Sequence, residues 1–113
     1  TNFTTMNRLS QLKTFLAENP NDPFLQYAMA LEYLKQKDQT EGLRIFKELT
    51  QNHPQYVGTY YHLGKLEEEL KQYDAALATY QKGMKIALKE KDRHAHKELQ
   101  GAFNMLQDEL EDW

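Results

Sequence analysis

The chain has 113 residues, of which 40% are apolar and 27% are charged, and it contains no cysteine, so disulfides, thiolate nucleophiles and zinc ribbons are excluded. Its length suits one domain that buries roughly two-thirds of the surface exposed by the unfolded chain, and no apolar run approaches the ~18 residues of a membrane-spanning helix. The net charge of −3, from 14 basic and 17 acidic residues, provides no overall field that would attract the phosphates of a nucleic acid.

Apolar residues recur at three-and-four spacing along the whole chain, which predicts six helices and no strand. Pro20 and Pro54 each stop a helix, because the residue before a proline is disfavoured in the α conformation. Asp22 and Asp92 can cap the second and sixth helices. The predicted helices cover about 5–19, 23–36, 40–52 and 55–70, then a fifth carrying residues 76–88, and 92–111. Short connections between helices of this length predict that sequential neighbours pack antiparallel.

The chain repeats itself with a period of about 34 residues. Leu9 corresponds to Leu43 and Leu77, and each of these positions keeps its apolar character. Small residues recur as well, and they matter because two helices approach closely only where a side chain is nearly absent. These small residues are Ala30, Gly42, Gly64 and Ala76.

The spacing resembles that of the tetratricopeptide repeat, a helix–turn–helix unit of about 34 residues. The resemblance is carried in the second repeat by Leu63, Gly64, Tyr73, Asp74, Ala76 and Tyr80, and in the first by Ala30, Tyr33, Gly42, Phe46 and Pro54. It implies an all-α fold of antiparallel helical hairpins stacked as a right-handed superhelix. The chain is then a single domain, 1–113, with a half-repeat helix at 5–19, repeats at 23–56 and 57–90, and a capping helix at 92–111.

Membership of this family would imply a concave groove lined by the first helix of each repeat. The residues expected to contact a partner there are Phe24, Tyr27, Leu31, Tyr61, Lys65 and Glu68. Tyr27 and Tyr61 are the expected anchors, since a tyrosine offers a broad apolar face with few rotors to freeze. The alternative is that these side chains pack against the terminal helices inside the domain. The sequence departs from the family at Glu67, where a tyrosine is usual, and it lacks the family's carboxylate-clamp residues.

A second candidate surface is a basic stripe, whose members are Lys82, Lys85, Lys89, Arg93 and Lys97. They would align on one face if the fifth and sixth helices were nearly continuous. The stripe could then dock an acidic partner or an RNA backbone, although a mixed-charge, solvated helix face is the alternative interpretation.

No cofactor, metal or catalytic site is expected. His94 and His96 are two residues apart, which is not the i, i+4 spacing of a zinc-binding helix. The three glutamates at 67–69 fan out around a helix and cannot face one another across a substrate.

The sequence therefore predicts a non-enzymatic protein-interaction module, cytoplasmic, that binds a protein or peptide and neither nucleic acid nor membrane. The alternatives are a self-associating scaffold, such as a homodimer, and, more remotely, an acid–base hydrolase using His62.

Overall fold

The computed structural model describes the backbone of residues 2–112 and the side chains of residues 8–112. Within this part of the chain the structure consists of six α-helices and contains no strand. The helices are α1 (Asn2–Glu18), α2 (Pro23–Lys35), α3 (Gln39–Asn52), α4 (Gly58–Glu69), α5 (Tyr73–Lys89) and α6 (Arg93–Glu111). The predicted all-α class, built of helical hairpins, is confirmed.

The helices fall into two compact units that divide between His53 and Pro54. Unit 1 contains α1, α2 and α3, and unit 2 contains α4, α5 and α6. The predicted bounds of a single domain and its repeats stay a prediction.

The hairpin turns that end α2, α4 and α5 share one backbone design. In each turn a lysine adopts a positive φ: 68° at Lys37, 61° at Lys71 and 60° at Lys91. The next residue's N–H then donates to a carbonyl five residues back, as in the 2.8 Å bond from Asp38 to Tyr33. This is the Schellman motif, which satisfies the last carbonyls of a helix and turns the chain sharply.

Side-chain caps fix three of the helix starts. Asp22 accepts a bond from the N–H of Phe24, Asp38 from Glu41 and Asp92 from Ala95. The caps predicted at Asp22 and Asp92 are confirmed. Helix α5 has 17 residues and α3 has 14.

The predicted start of α4 was wrong by three residues, because the helix begins at Gly58 instead of residue 55. Pro54 and Gln55 form a turn, and no side chain caps the first residue of α4. The hydroxyl of Tyr60 donates a 2.6 Å bond to the carbonyl of Pro54, which holds this turn against the helix that follows.

In unit 1 the core lies between α2 and its neighbours α1 and α3. Gly42 supplies the close approach of α3 to α2, since a Cβ built on it would lie 3.5 Å from the Ala30 carbonyl and still closer to Leu34. The buried apolar residues of this unit are Leu12, Ala28, Met29, Ala30, Ile45, Phe46 and Leu49.

In unit 2 each of the three helices contributes to one core. A side chain on Gly64 would overlap the ring of Tyr80, and one on Gly83 would overlap Tyr60. The two glycines therefore let α4 and α5 pack around two fully buried tyrosines. Gly64 belongs to the predicted repeat of small residues, whereas Gly83 does not. The buried core residues are Tyr60, Ala76, Tyr80, Ala87, Leu99, Ala102 and Leu106.

Candidate functional site

Three of the predicted partner-contacting residues lie together on α4. The ammonium Nζ of Lys65 is 5.8 Å from the centroid of the Tyr61 ring and 3.9 Å from Oε2 of Glu68. The spacing i, i+4 and i, i+3 on one helix brings these groups to the same face. Tyr61, Lys65 and Glu68 form what we call the α4 cluster, a half-buried aromatic ring with a cation across it and a carboxylate beside it.

Glu68 also accepts a short hydrogen bond from the hydroxyl of Tyr80, through the same Oε2 atom that faces Lys65. Burial of the Tyr80 phenol and its contact with Glu68 raise the pKa of Tyr80 well above its ordinary value of 10.0, so this hydroxyl remains a donor. The bond ties α4 to α5. Glu68 is thus partly a structural residue, as the alternative interpretation of the groove residues anticipated.

Glu67 is 4% exposed and accepts a 2.6 Å hydrogen bond from the hydroxyl of Thr79. In the sequence Glu67 stands out as a departure from the family's tyrosine and as one of three consecutive glutamates. Its partner lies twelve residues away on α5, so no local spacing pattern could have identified the pair.

The three predicted residues of unit 1 lie on one face of α2, at spacings of three and four. Phe24 is 59% exposed, whereas Tyr27 and Leu31 are half-buried. The Tyr27 ring is 6.3 Å from the ring of Phe46, which is fully buried, so Tyr27 also packs on the core of unit 1. We call these three residues the α2 stripe. Only Phe24 offers most of its side chain to solvent.

His62 is half-buried on α4 and its ring meets that of Tyr61 edge-on, with centroids 5.7 Å apart. Burial lowers the pKa of His62 below its ordinary value of 6.5, and the carboxylate of Glu98 opposes this shift. His62 is therefore neutral at pH 7. In the part of the chain that the structure describes, no three His, Asp or Glu side chains cluster in a way that could hold a metal ion.

The five residues of the basic stripe do not lie on one continuous helical face. All five of its residues are exposed, but α5 ends at Lys89 and α6 begins at Arg93 after a sharp turn. The chain reverses at Lys91, and α6 packs back along α5. The condition for a single face, nearly continuous fifth and sixth helices, is therefore not met, and the alternative of a solvated, mixed-charge helix face remains.

Unit 1 contains a cavity of about 340 Å³ lined by residues of all three helices. Its apolar lining includes Leu16, Met29 and Ile45, and its polar lining includes Arg44 and Glu48. Arg44 bonds Glu41 at 2.6 Å and Glu48 at 2.7 Å, so its charge is already neutralised locally. The cavity therefore has no free cation to direct a charged ligand.

The chain is similar to solved tetratricopeptide repeat proteins. It is 44% identical to a tetratricopeptide repeat domain protein from Salinibacter ruber, whose crystal structure matches 77% of this chain and 97% of that one with a TM-score of 0.75. The solution structure of a tetratricopeptide repeat domain protein from the same organism, also 44% identical, matches 79% of this chain and 90% of that one with a TM-score of 0.77.

More distant structures share the fold. The Sgt2 tetratricopeptide repeat domain from Aspergillus fumigatus is 14% identical, with 98% of this chain and 71% of that one covered and a TM-score of 0.80. No protein-family model matches the chain, and no curated protein matches it either. Among the described residues, no helix has the length and apolar character needed to span a bilayer.

Proposed function

The chain belongs to the tetratricopeptide repeat family, and from this premise we propose that it is a non-enzymatic module that binds a peptide or helix of another protein. Domains of this family are typically interaction modules without catalytic activity. The proposed contact residues are those of the α2 stripe in unit 1 and the α4 cluster in unit 2. Each belongs to the first helix of a repeat. We further propose a cytoplasmic location and no nucleic-acid or membrane partner.

The observation that carries the proposal is the α4 cluster. The ring of Tyr61 is half-buried, so its position is fixed by the protein while one part of its surface stays available to a ligand. Tyrosines held in this way are common anchors of interfaces, because little conformational freedom is lost on binding. Lys65 lies across the ring and can donate to a carboxylate or a carbonyl of the bound chain.

The α2 stripe supports the same proposal with a different chemistry. Phe24 exposes 59% of its surface beside the half-buried Tyr27 and Leu31, so these three residues of α2 form an apolar strip. An amphipathic helix or an extended segment with apolar anchors fits this strip. The cluster on α4 would in turn suit an anchor followed by an acidic or carbonyl group.

The test is capture of proteins from a lysate of the source organism on the immobilised domain, read by mass spectrometry. The test variants are Tyr27→Ala and Tyr61→Ala. Matched controls are Tyr33→Ala and Tyr73→Ala, which also truncate half-buried tyrosines, one in each unit, outside the proposed contact residues. Circular dichroism must show that all four variants are helical.

We expect a protein that the wild type and both controls retain and that at least one test variant loses. If the test variants retain it as well as the controls do, the proposed contact residues are wrong. If the purified partner is chemically altered by the domain during incubation, the non-enzymatic assignment is wrong instead.

A further inference from the structure

Two strongly exposed apolar side chains in unit 2 are each surrounded by charges of one predominant sign. Leu88 and Met105 are both 62% exposed. Beside Leu88 lies a basic patch, whose cations are Lys85, Lys89, Lys91 and Arg93, all exposed. Beside Met105 lies an acidic patch, whose carboxylates are those of Asp108, Glu109 and Asp112, also exposed. Each patch is thus an apolar centre with a charged rim.

The acidic patch is one helical face. Its members follow Met105 at i+3, i+4 and i+7, which places them on the same side of α6. None of the residues 101–112 is basic, so no neighbour on the same stretch of α6 neutralises these carboxylates.

The basic patch surrounds the turn between α5 and α6. A cleft of about 360 Å³ opens there, lined by Ala87, Leu88, Lys91, Asp92 and Arg93. Glu90 and Asp92 belong to the same turn and offset part of the positive charge. The carboxylate of Asp92 is already used, because it accepts the 3.0 Å capping bond from the N–H of Ala95. The four cations outnumber these two carboxylates, so the surroundings of the exposed Leu88 keep a net positive charge.

Apart from the capping carboxylate of Asp92, the charges in the end turns of α6 run against its macrodipole. A helix is stabilised by anions at its first turn and cations at its last turn, whereas α6 has no acidic residue in the first turn and no basic residue in the last. Arg93 opens the helix and Glu111 ends it. This order is locally unfavourable, and departures from local consistency of this kind tend to mark functional surfaces.

The two patches cannot pair within one molecule. Gly83 of α5 lies against Leu99 of α6, so the helices form an antiparallel hairpin with the basic patch at its turn. Met105 lies twelve residues beyond Arg93 along a continuous helix, which separates the patches by about 18 Å. Only a second molecule can bring opposite patches into contact.

We propose that the acidic patch of one copy of this chain docks on the basic patch of a second copy. Met105 then packs on Leu88 while Asp108 and Glu109 face Lys91 and Arg93. Two copies related by a two-fold axis make this contact twice and form a closed dimer, whereas copies joined by one contact leave a free patch at each end and form longer assemblies; in both cases the average mass rises with concentration. Exposed ion pairs are individually weak and are screened by salt, so the association is salt-sensitive.

The experiment measures the weight-average mass by sedimentation velocity over a concentration series, in about 20 mM and about 500 mM sodium chloride. Two charge-reversal variants are compared with the wild type: Lys91→Glu/Arg93→Glu in the basic patch and Asp108→Lys/Glu109→Lys in the acidic patch. The control is Lys13→Glu/Lys47→Glu, which reverses two exposed cations of unit 1 and changes the net charge by the same amount as the basic-patch variant. Circular dichroism verifies the helical content of each, and both reversals also improve the charge order of α6.

We expect the wild type and the control to grow in mass with concentration at low salt and to return to the mass of a single chain at high salt. Each reversal variant alone should remain a single chain, with association weakened at least tenfold. An equimolar mixture of the two variants should associate again, because each supplies a surface complementary to the other. The proposal is overturned if the wild type stays monomeric at low salt, if either variant associates by itself as the wild type does, or if the mixture fails to associate.

Discussion

The buried carboxylate of Glu67 on α4 and the half-buried hydroxyl of Thr79 on α5 are joined by a 2.6 Å hydrogen bond within unit 2. Thr79→Val keeps the shape of this side chain and removes the donor, which leaves a buried carboxylate with one partner fewer. An incompletely satisfied buried group costs about 1–3 kcal/mol, so we expect the free energy of unfolding to fall by that amount. Urea denaturation monitored by circular dichroism measures it.

Thr14→Val is the matched control for this prediction. The hydroxyl of Thr14 donates to the Ser10 carbonyl at 3.1 Å on the exposed side of α1. Its loss should change the stability by less than about 0.5 kcal/mol. Equal effects of the two substitutions would show that the hydrogen bond between α4 and α5 does not contribute to the stability.

Gly64 and Gly101 should respond in opposite ways to the same substitution. A methyl group on Gly64 would overlap the buried ring of Tyr80, whereas nothing lies within 4 Å of the Cβ position of Gly101. Overpacking of a core costs about 1–3 kcal/mol, and alanine exceeds glycine in helix propensity by about 1 kcal/mol. We expect Gly64→Ala to lower the free energy of unfolding and Gly101→Ala to raise it. A stabilising Gly64→Ala would mean that Tyr80 shifts aside at no cost.

Lys71 should be replaceable by glycine with a gain in stability. Its φ of 61° lies in the left-handed region, where a side chain costs roughly 1–2 kcal/mol. Glycine avoids this steric cost and loses only about 0.4–1 kcal/mol through its greater entropy in the unfolded chain. The N–H of the following Gln72 bonds the Glu67 carbonyl at 2.8 Å, a contact that glycine preserves. We expect Lys71→Gly to raise the midpoint of urea unfolding. The control is Lys65→Gly inside α4, which should lower that midpoint. A loss of stability in both variants would show that the positive φ of Lys71 does not destabilise the domain.

The sequence predicted most of the helices because their signals are local. Prolines, aspartate caps and apolar spacing act within a few residues, and they predicted the start of α2 and the cap of α6. The start of α4 was missed because the bond from Tyr60 to the Pro54 carbonyl joins residues on either side of that start. The turns at Lys37, Lys71 and Lys91 were missed as Schellman motifs because lysine replaces the usual glycine.

The proposed contact surface was less accessible to sequence reasoning. The proximity of Lys65 to Tyr61 and Glu68 follows from helical spacing alone. The bond from Tyr80 to Glu68 depends on how α4 packs on α5, and this tertiary contact gives Glu68 a structural role that no spacing shows. The two oppositely charged patches were likewise hidden, because exposure of Leu88 and Met105 can be judged only in the folded protein.

The stability of the domain should decrease in mild acid through His62. Burial lowers the pKa of this histidine in the folded protein below 6.5, so the unfolded chain binds the proton more readily. The contribution of neutral His62 to the free energy of unfolding is therefore fully present above pH 6.5. It is lost as the pH falls toward and through the folded-state pKa. We expect the thermal midpoint of the wild type to drop more than that of His62→Gln between about pH 7.5 and about pH 5. Glu98→Gln should enlarge the drop, because the carboxylate of Glu98 opposes the shift. Parallel pH profiles of the wild type and His62→Gln would show that His62 is not the titrating group.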